Sequence, residues 1–76
     1  MSPKLPALSG AELIAVLESQ GWYVARVKGS HHVMRHANIP DAIPVPVHGK
    51  GPLKRGTLAG IMRSAGIDRE ELRRLR

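Results

Sequence analysis

The chain has 76 residues, with 12 Lys and Arg against 6 Asp and Glu, for a formal charge of +6. That length holds one domain with a modest core, so residues 1–76 are read as a single domain with 1–8 as a flexible lead-in. The absence of cysteine excludes disulfides and thiolate metal sites, and no apolar run approaches a membrane span or a signal peptide, so a cytoplasmic protein is expected.

The opening "MSPKLPAL" carries two prolines and forms the lead-in. In "LSGAELIAVLESQG", Ser9 and Glu12 have the spacing of a capping box, and Leu8 and Leu13 occupy the flanking staple positions. Leu13, Val16 and Leu17 make one apolar stripe, widened by Ile14, and Gly21 stops the helix. "WYVARV", Trp22 to Val27, is rich in strand formers, "KGS" is a turn, and "HHVMRH" has the length of a second strand, which predicts a hairpin. "ANIPDA" reads as a turn or loop. "IPVPVH" then alternates Ile43, Val45 and Val47 with Pro44 and Pro46. Proline cannot donate to a ladder, so this is expected to be an edge strand with its prolines on free positions.

After the loop "GKGP", a second helix is predicted through "LKRGTLAGIMRSAG", with Leu58, Ile61, Met62 and Ala65 at i, i+3, i+4 and i+7. Gly66 suits the C′ position, and Ile67 follows at C″, where it can meet Met62. Asp68 opens a short third helix with Glu71 as box partner and Ile67 and Leu72 as staple, and "RRLR" is read as a basic tail. The expected fold is α+β, in the order α-β-β-β-α with a short C-terminal helix. Its three-stranded antiparallel sheet carries the helices on one face. Double-stranded-RNA-binding domains share this order, an analogy of fold and not of function.

Eight of the twelve Lys and Arg lie from Lys50 onward, against three acids. Such an imbalance suits a polyanion, most often nucleic acid. Trp22 and Tyr23 are the only aromatic residues of the Phe, Trp and Tyr class, too few for a platform that stacks several bases. Three of the four histidines fall within "KGSHHVMRH", Lys28 to His36. On a strand, His32 and His36 would share a face about 13 Å apart at ~3.3 Å per residue. That separation is too long for one ion held at about 2.0 Å by each ligand. His31 and His32 point to opposite faces, so no metal site and no cofactor is expected. Acid–base chemistry remains, because histidine exchanges a proton near neutral pH. RNA cleavage needs little more than a base for the 2′-hydroxyl, an acid for the leaving oxygen, and cations for the transition state. Lys28 and Arg35 are candidate phosphate contacts, as are Gly29, whose backbone can approach a phosphate closely, and Ser30, whose hydroxyl can bond one or cap the turn; Lys50, Lys54 and Arg55 form a second basic cluster at the start of the second helix. An anion there would be favoured by charge and helix dipole together. His36 and His48 read as partly exposed residues without a catalytic role, His36 at most as a phosphate contact beside a turn. A non-catalytic RNA-binding module using the same surface is the competing reading.

Taken together, "GWYVARVKGSHHVMRH", "VPVHGKGPLKRGTLAGIMRSAGI" and the trailing "DREEL" resemble the HicA toxin family, also called YcfA-like, over about Ser9 to Leu72. The telling elements are Gly21-Trp22, Gly29-Ser30-His31, Val45-Pro46 with His48, and Gly56-Thr57-Leu58 with Ala65-Gly66-Ile67. Pro44 beside Pro46 departs from the pattern, which expects one proline in the third strand. The resemblance implies a ribosome-independent mRNA interferase, the toxin of a type II toxin–antitoxin system, neutralised by a HicB-type antitoxin. It implies one histidine in the Gly-Ser-His turn as catalytic residue: His31, with His32 as the fallback because some members carry the histidine one position later.

Overall fold

Ser9 sets the start of the first helix through two reciprocal bonds. Its hydroxyl accepts the Glu12 N–H at 3.1 Å, and its own N–H donates to the Glu12 carboxylate at 2.9 Å. The capping box therefore forms as predicted, and α1 spans Gly10–Glu18. The computed structural model describes residues 5–75, and β1 (Trp22–Lys28), β2 (His31–His36), β3 (Ile39–Pro46), α2 (Arg55–Ala65) and α3 (Arg69–Leu75) follow in chain order. This is the α+β order expected.

The end of α2 is equally local in origin. Gly66 takes the left-handed conformation at φ 72° and ψ 28°. Its N–H donates to Arg63 at 3.3 Å, and the Ile67 N–H donates to Met62 at 2.9 Å, the two bonds of a Schellman motif. Asp68 then accepts the Glu71 N–H at 2.8 Å and donates its own N–H to Glu71 at 3.4 Å, which starts α3. The expected basic tail is corrected here. Arg73, Arg74 and Leu75 belong to α3, with Leu72 buried and Leu75 packed on the core. Arginines in a last helical turn complement the helix dipole. Arg76 lies outside the described residues. The start of α2 also differs from expectation. Leu53 and Lys54 precede the helix, because the Leu53 N–H donates to the Leu8 carbonyl at 2.7 Å and Ser9 bridges Pro52.

That bridge draws the lead-in into the fold. Residues 1–4 lie outside the described residues, whereas Leu8 is buried and Leu5 packs against the core.

The sheet is antiparallel in the order β1-β2-β3. Gly29, at φ 60°, and Ser30 turn the first hairpin, and Lys28 pairs with His31 to close it. Gly with positive φ followed by a residue with negative φ is the type II′ pattern, whose twist suits a two-residue hairpin. The second turn is also tight, so the expected six-residue loop "ANIPDA" is wrong. Only Ala37 and Asn38 turn, and β3 begins at Ile39, with His36 pairing Ile39. The Asn38 N–H donates to His36 Nδ1 at 3.0 Å and stands in for a turn bond. Pro40, Asp41 and Ala42 are taken up by an irregularity, since the register moves from Met34–Ile43 to His36–Ile39. At its other end β3 stops at Pro46, but the Val47 N–H still reaches the Ser30 carbonyl at 2.7 Å. Alternation from Val47 then turns the nitrogens of Pro44 and Pro46 to the free edge, where no donor is missed.

One sheet face carries Trp22, Met34, Ile43 and Val45 into a core with Leu13, Val16 and Leu17 of α1, Leu58, Ile61 and Met62 of α2, and Leu72. Each such side chain contributes about 1.5–3 kcal/mol by leaving water. The other face is open, and a bulge decides what stands on it. Val24 pairs with Met34 and Arg26 pairs with Val33, leaving Ala25 without a partner. One extra residue reverses the facing of everything beyond it. Trp22 and Val24 therefore point to the helices, while Arg26 and Lys28 join Tyr23 on the open face.

Candidate functional site

The register arranges the open face in rows. Lys28, His31 and Pro46 form the row at the first hairpin, Arg26, Val33 and Pro44 the next, and Tyr23 and Arg35 the third. Tyr23, Arg26, Lys28, His31 and Arg35 are all exposed. Four side chains with basic nitrogen thus share a surface that no helix among the described residues covers, with the Tyr23 ring at its far end.

His31 has a neighbour that the sequence reading set aside. Continuing the β2–β3 register past Pro46 places His48 diagonally opposite His31 on the same face. The two rings stand edge-on, with centroids 6.2 Å apart and planes at 86°. The Val47–Ser30 backbone bond fastens the residue before His48 to the residue before His31. His48 also lines a cleft of about 400 Å³ with Gly10, Pro46, Gly51, Pro52, Leu53, Lys54 and Thr57. The start of α2 opens here. Lys54 is its N-cap residue and provides no side-chain cap, so the first-turn N–H groups keep their capacity to meet an anion.

The proposed site residues do not all gather. Lys28, Gly29, Ser30 and His31 share the first hairpin, and Lys54 reaches the cleft beside His48. Lys50 and Arg55 are exposed, adjoin lining residues in sequence, and do not line that cleft themselves. Arg35 shares the open face but sits four residues along β2 from His31, about 13 Å away at ~3.3 Å per residue. Its guanidinium donates to the Pro40 carbonyl at 3.3 Å. His32, the fallback, faces the helix side opposite Val45, with a buried Nδ1 that has no hydrogen-bond partner among the described residues. His36 is engaged at both nitrogens: Nδ1 accepts the Asn38 N–H, so Nε2 carries the proton and donates to the Gln20 carbonyl at 3.0 Å. Among the described residues, no three His, Asp or Glu side chains converge as metal ligands, and no helix is long and apolar enough to cross a membrane.

Arg26, Tyr23 and His48 are the site candidates that sequence reasoning missed. Arg26 changes face only because of the bulge. A six-residue loop closing His36 on Ile43 would itself set His48 directly opposite His31, and the observed register moves it two residues along, to the diagonal.

No curated protein sequence matches the chain. The model of a family described as the HicA toxin of bacterial toxin–antitoxin matches residues 10–67. The matched span contains both hairpins, the His31–His48 pair, the cleft and the whole of α2. The chain therefore belongs to the HicA toxin family, the toxins of bacterial toxin–antitoxin pairs.

Proposed function

We propose that this toxin is a ribosome-independent mRNA interferase that cleaves RNA through the RNA's own 2′-hydroxyl, with His31 transferring a proton. The observation that carries the reading is His31 exposed in one row with Lys28, on a face that also presents Arg26 and Arg35. Because RNA supplies the nucleophile, the protein needs to move protons and stabilise negative charge. No metal ion is required for that route. Arg26, Lys28 and Arg35 hold phosphates along the sheet, and Lys50, Lys54 and Arg55 extend the path over the start of α2. Gly29 and Ser30 let the strand approach the hairpin closely. Exposure favours His31 over His32, whose ring faces the helices. A HicB-type antitoxin that covers the open face would silence the toxin by denying RNA access to His31.

The test is purified protein incubated with RNA, with and without EDTA, as wild type, His31→Ala and His32→Ala. Expected are EDTA-resistant cleavage, 2′,3′-cyclic or 3′-phosphate ends, and a loss of roughly 10²–10⁴-fold in His31→Ala, the scale of a general acid or base. Full activity in His31→Ala with loss in His32→Ala would move the role to His32. Full activity in both variants and in the double variant would reject the histidine mechanism. RNA bound but left intact by the wild type would identify a non-catalytic binding module.

A further inference from the structure

We infer that His48 is the second proton-transfer residue of this reaction, the partner of His31 across a single phosphodiester. The inference rests on the cleavage reading above and assigns its second proton. Transphosphorylation moves two protons. As the 2′-oxygen bonds to phosphorus, its proton leaves to a base. As the bond from phosphorus to the 5′-oxygen breaks, that oxygen takes a proton from an acid. The two oxygens lie on opposite sides of phosphorus, so one imidazole cannot reach both without moving between them. Two imidazoles flanking the phosphate complete the step in place. The base ends protonated, the acid ends neutral, and exchange with water restores both. The products are a 2′,3′-cyclic phosphate and a free 5′-hydroxyl.

The separation of the two rings suits this requirement. The centroids are 6.2 Å apart and the rings are perpendicular rather than stacked. One phosphate bridges that separation through a hydrogen bond of about 2.6–3.2 Å to each ring. Both imidazoles are exposed, and their separation is governed by the ladder rather than by a free loop. His31 pairs with Pro46, and Val47 is bonded to Ser30 at 2.7 Å. The contrast with His36 is chemical: both of its nitrogens are bound to backbone, whereas among the described residues the rings of His31 and His48 have each other as neighbours. Lys28 beside His31 and Lys54 in the cleft beside His48 supply positive charge at either end of the pair.

The test compares two RNA substrates. One is ordinary. The other carries sulfur in place of the bridging 5′-oxygen at the position that the wild type cuts, so that the leaving thiolate needs no proton. His48→Ala and His48→Gln are expected to lower cleavage of ordinary RNA at least 10²-fold, as His31→Ala does. The sulfur substrate is expected to restore one of the two sites, His31 or His48, to within about tenfold of wild type and to leave the other impaired. The restored position then names the acid. Cleavage by both His48 variants within about threefold of wild type would overturn the inference while leaving the His31 mechanism standing. Equal responses of the His31 and His48 variants to the two substrates would overturn it as well. RNA left intact by the wild type would remove the cleavage reading itself. His48 is exposed, so an unchanged urea midpoint is expected in both His48 variants.

Discussion

The imidazole of His36 stands edge-on to the indole of Trp22, with ring centroids 5.3 Å apart and planes at 61°. The same imidazole joins the carbonyl of Gln20, after α1, to the amide of Asn38, in the second hairpin. This histidine is a strut between two turns. His36→Ala is expected to cost about 1–3 kcal/mol, from two lost hydrogen bonds and an aromatic contact. Urea denaturation measures the loss. RNA cleavage by the folded fraction should stay near wild type, because the ring lies on the helix side of the sheet.

Gly21 and Gly29 both have positive φ, at 94° and 60°. They differ in what surrounds them. A Cβ on Gly21 would stand 2.9 Å from His36 Nε2, whereas one on Gly29 would meet nothing within 4 Å. Gly29→Ala is expected to cost only the conformational strain, about 1–2 kcal/mol. Gly21→Ala adds a displaced His36 and should fall further, by roughly 2–4 kcal/mol from strain and a broken hydrogen bond together. The order of the two denaturation midpoints is the check.

The open face carries Arg26 and Lys28 in neighbouring rows. If RNA lies along it, Arg26→Ala and Lys28→Ala should each weaken binding by about the same factor for every RNA sequence. Each should also lower the slope of log affinity against log salt by about 0.7, the value per phosphate contact on a single strand. Arg63, on α2 behind the sheet, serves as the control and should change neither. Titrations at several salt concentrations, made with a His31→Ala background to prevent cutting, give the slopes.

Leu8 is 2% exposed, and its carbonyl accepts the Leu53 N–H at 2.7 Å. Leu8→Ala should cost about 2–5 kcal/mol, the range for a buried leucine truncated in a tight core. A change within 0.5 kcal/mol, the scale of a surface substitution, would show that the segment before α1 is dispensable. The measurement is again a denaturant midpoint.

The features legible in the sequence are those whose causes are local. Ser9 with Glu12, Gly66 with Ile67, and Asp68 with Glu71 each close within a few residues, and each formed as read. The core stripes of α1 and α2 follow from spacing alone. The start of β3 was illegible because Asn38, Pro40 and Asp41 are turn formers by composition. Pairing of Ile39 with His36 nevertheless draws Pro40 and Asp41 into the strand and leaves Asn38 in a two-residue turn. The approach of His48 to His31 was legible even with the longer loop, because pairing His36 with Ile43 already sets His31 opposite His48, and only the diagonal placement needed the true register. Arg26 was hidden by the bulge, which no residue in "YVARV" announces.

That bulge has an evolutionary corollary. Ala25 is exposed, has no cross-strand partner, and bears a side chain that could be exchanged for many others. Its presence, rather than its identity, determines whether Arg26 and Lys28 stand with Tyr23 or behind it. A lineage could vary the letter at this position freely and still be unable to lose it. A one-residue deletion would turn either the tryptophan or the cations to the wrong side. In this hairpin the facing of the cations is set by chain length and not by the chemistry of the residue that adds to it.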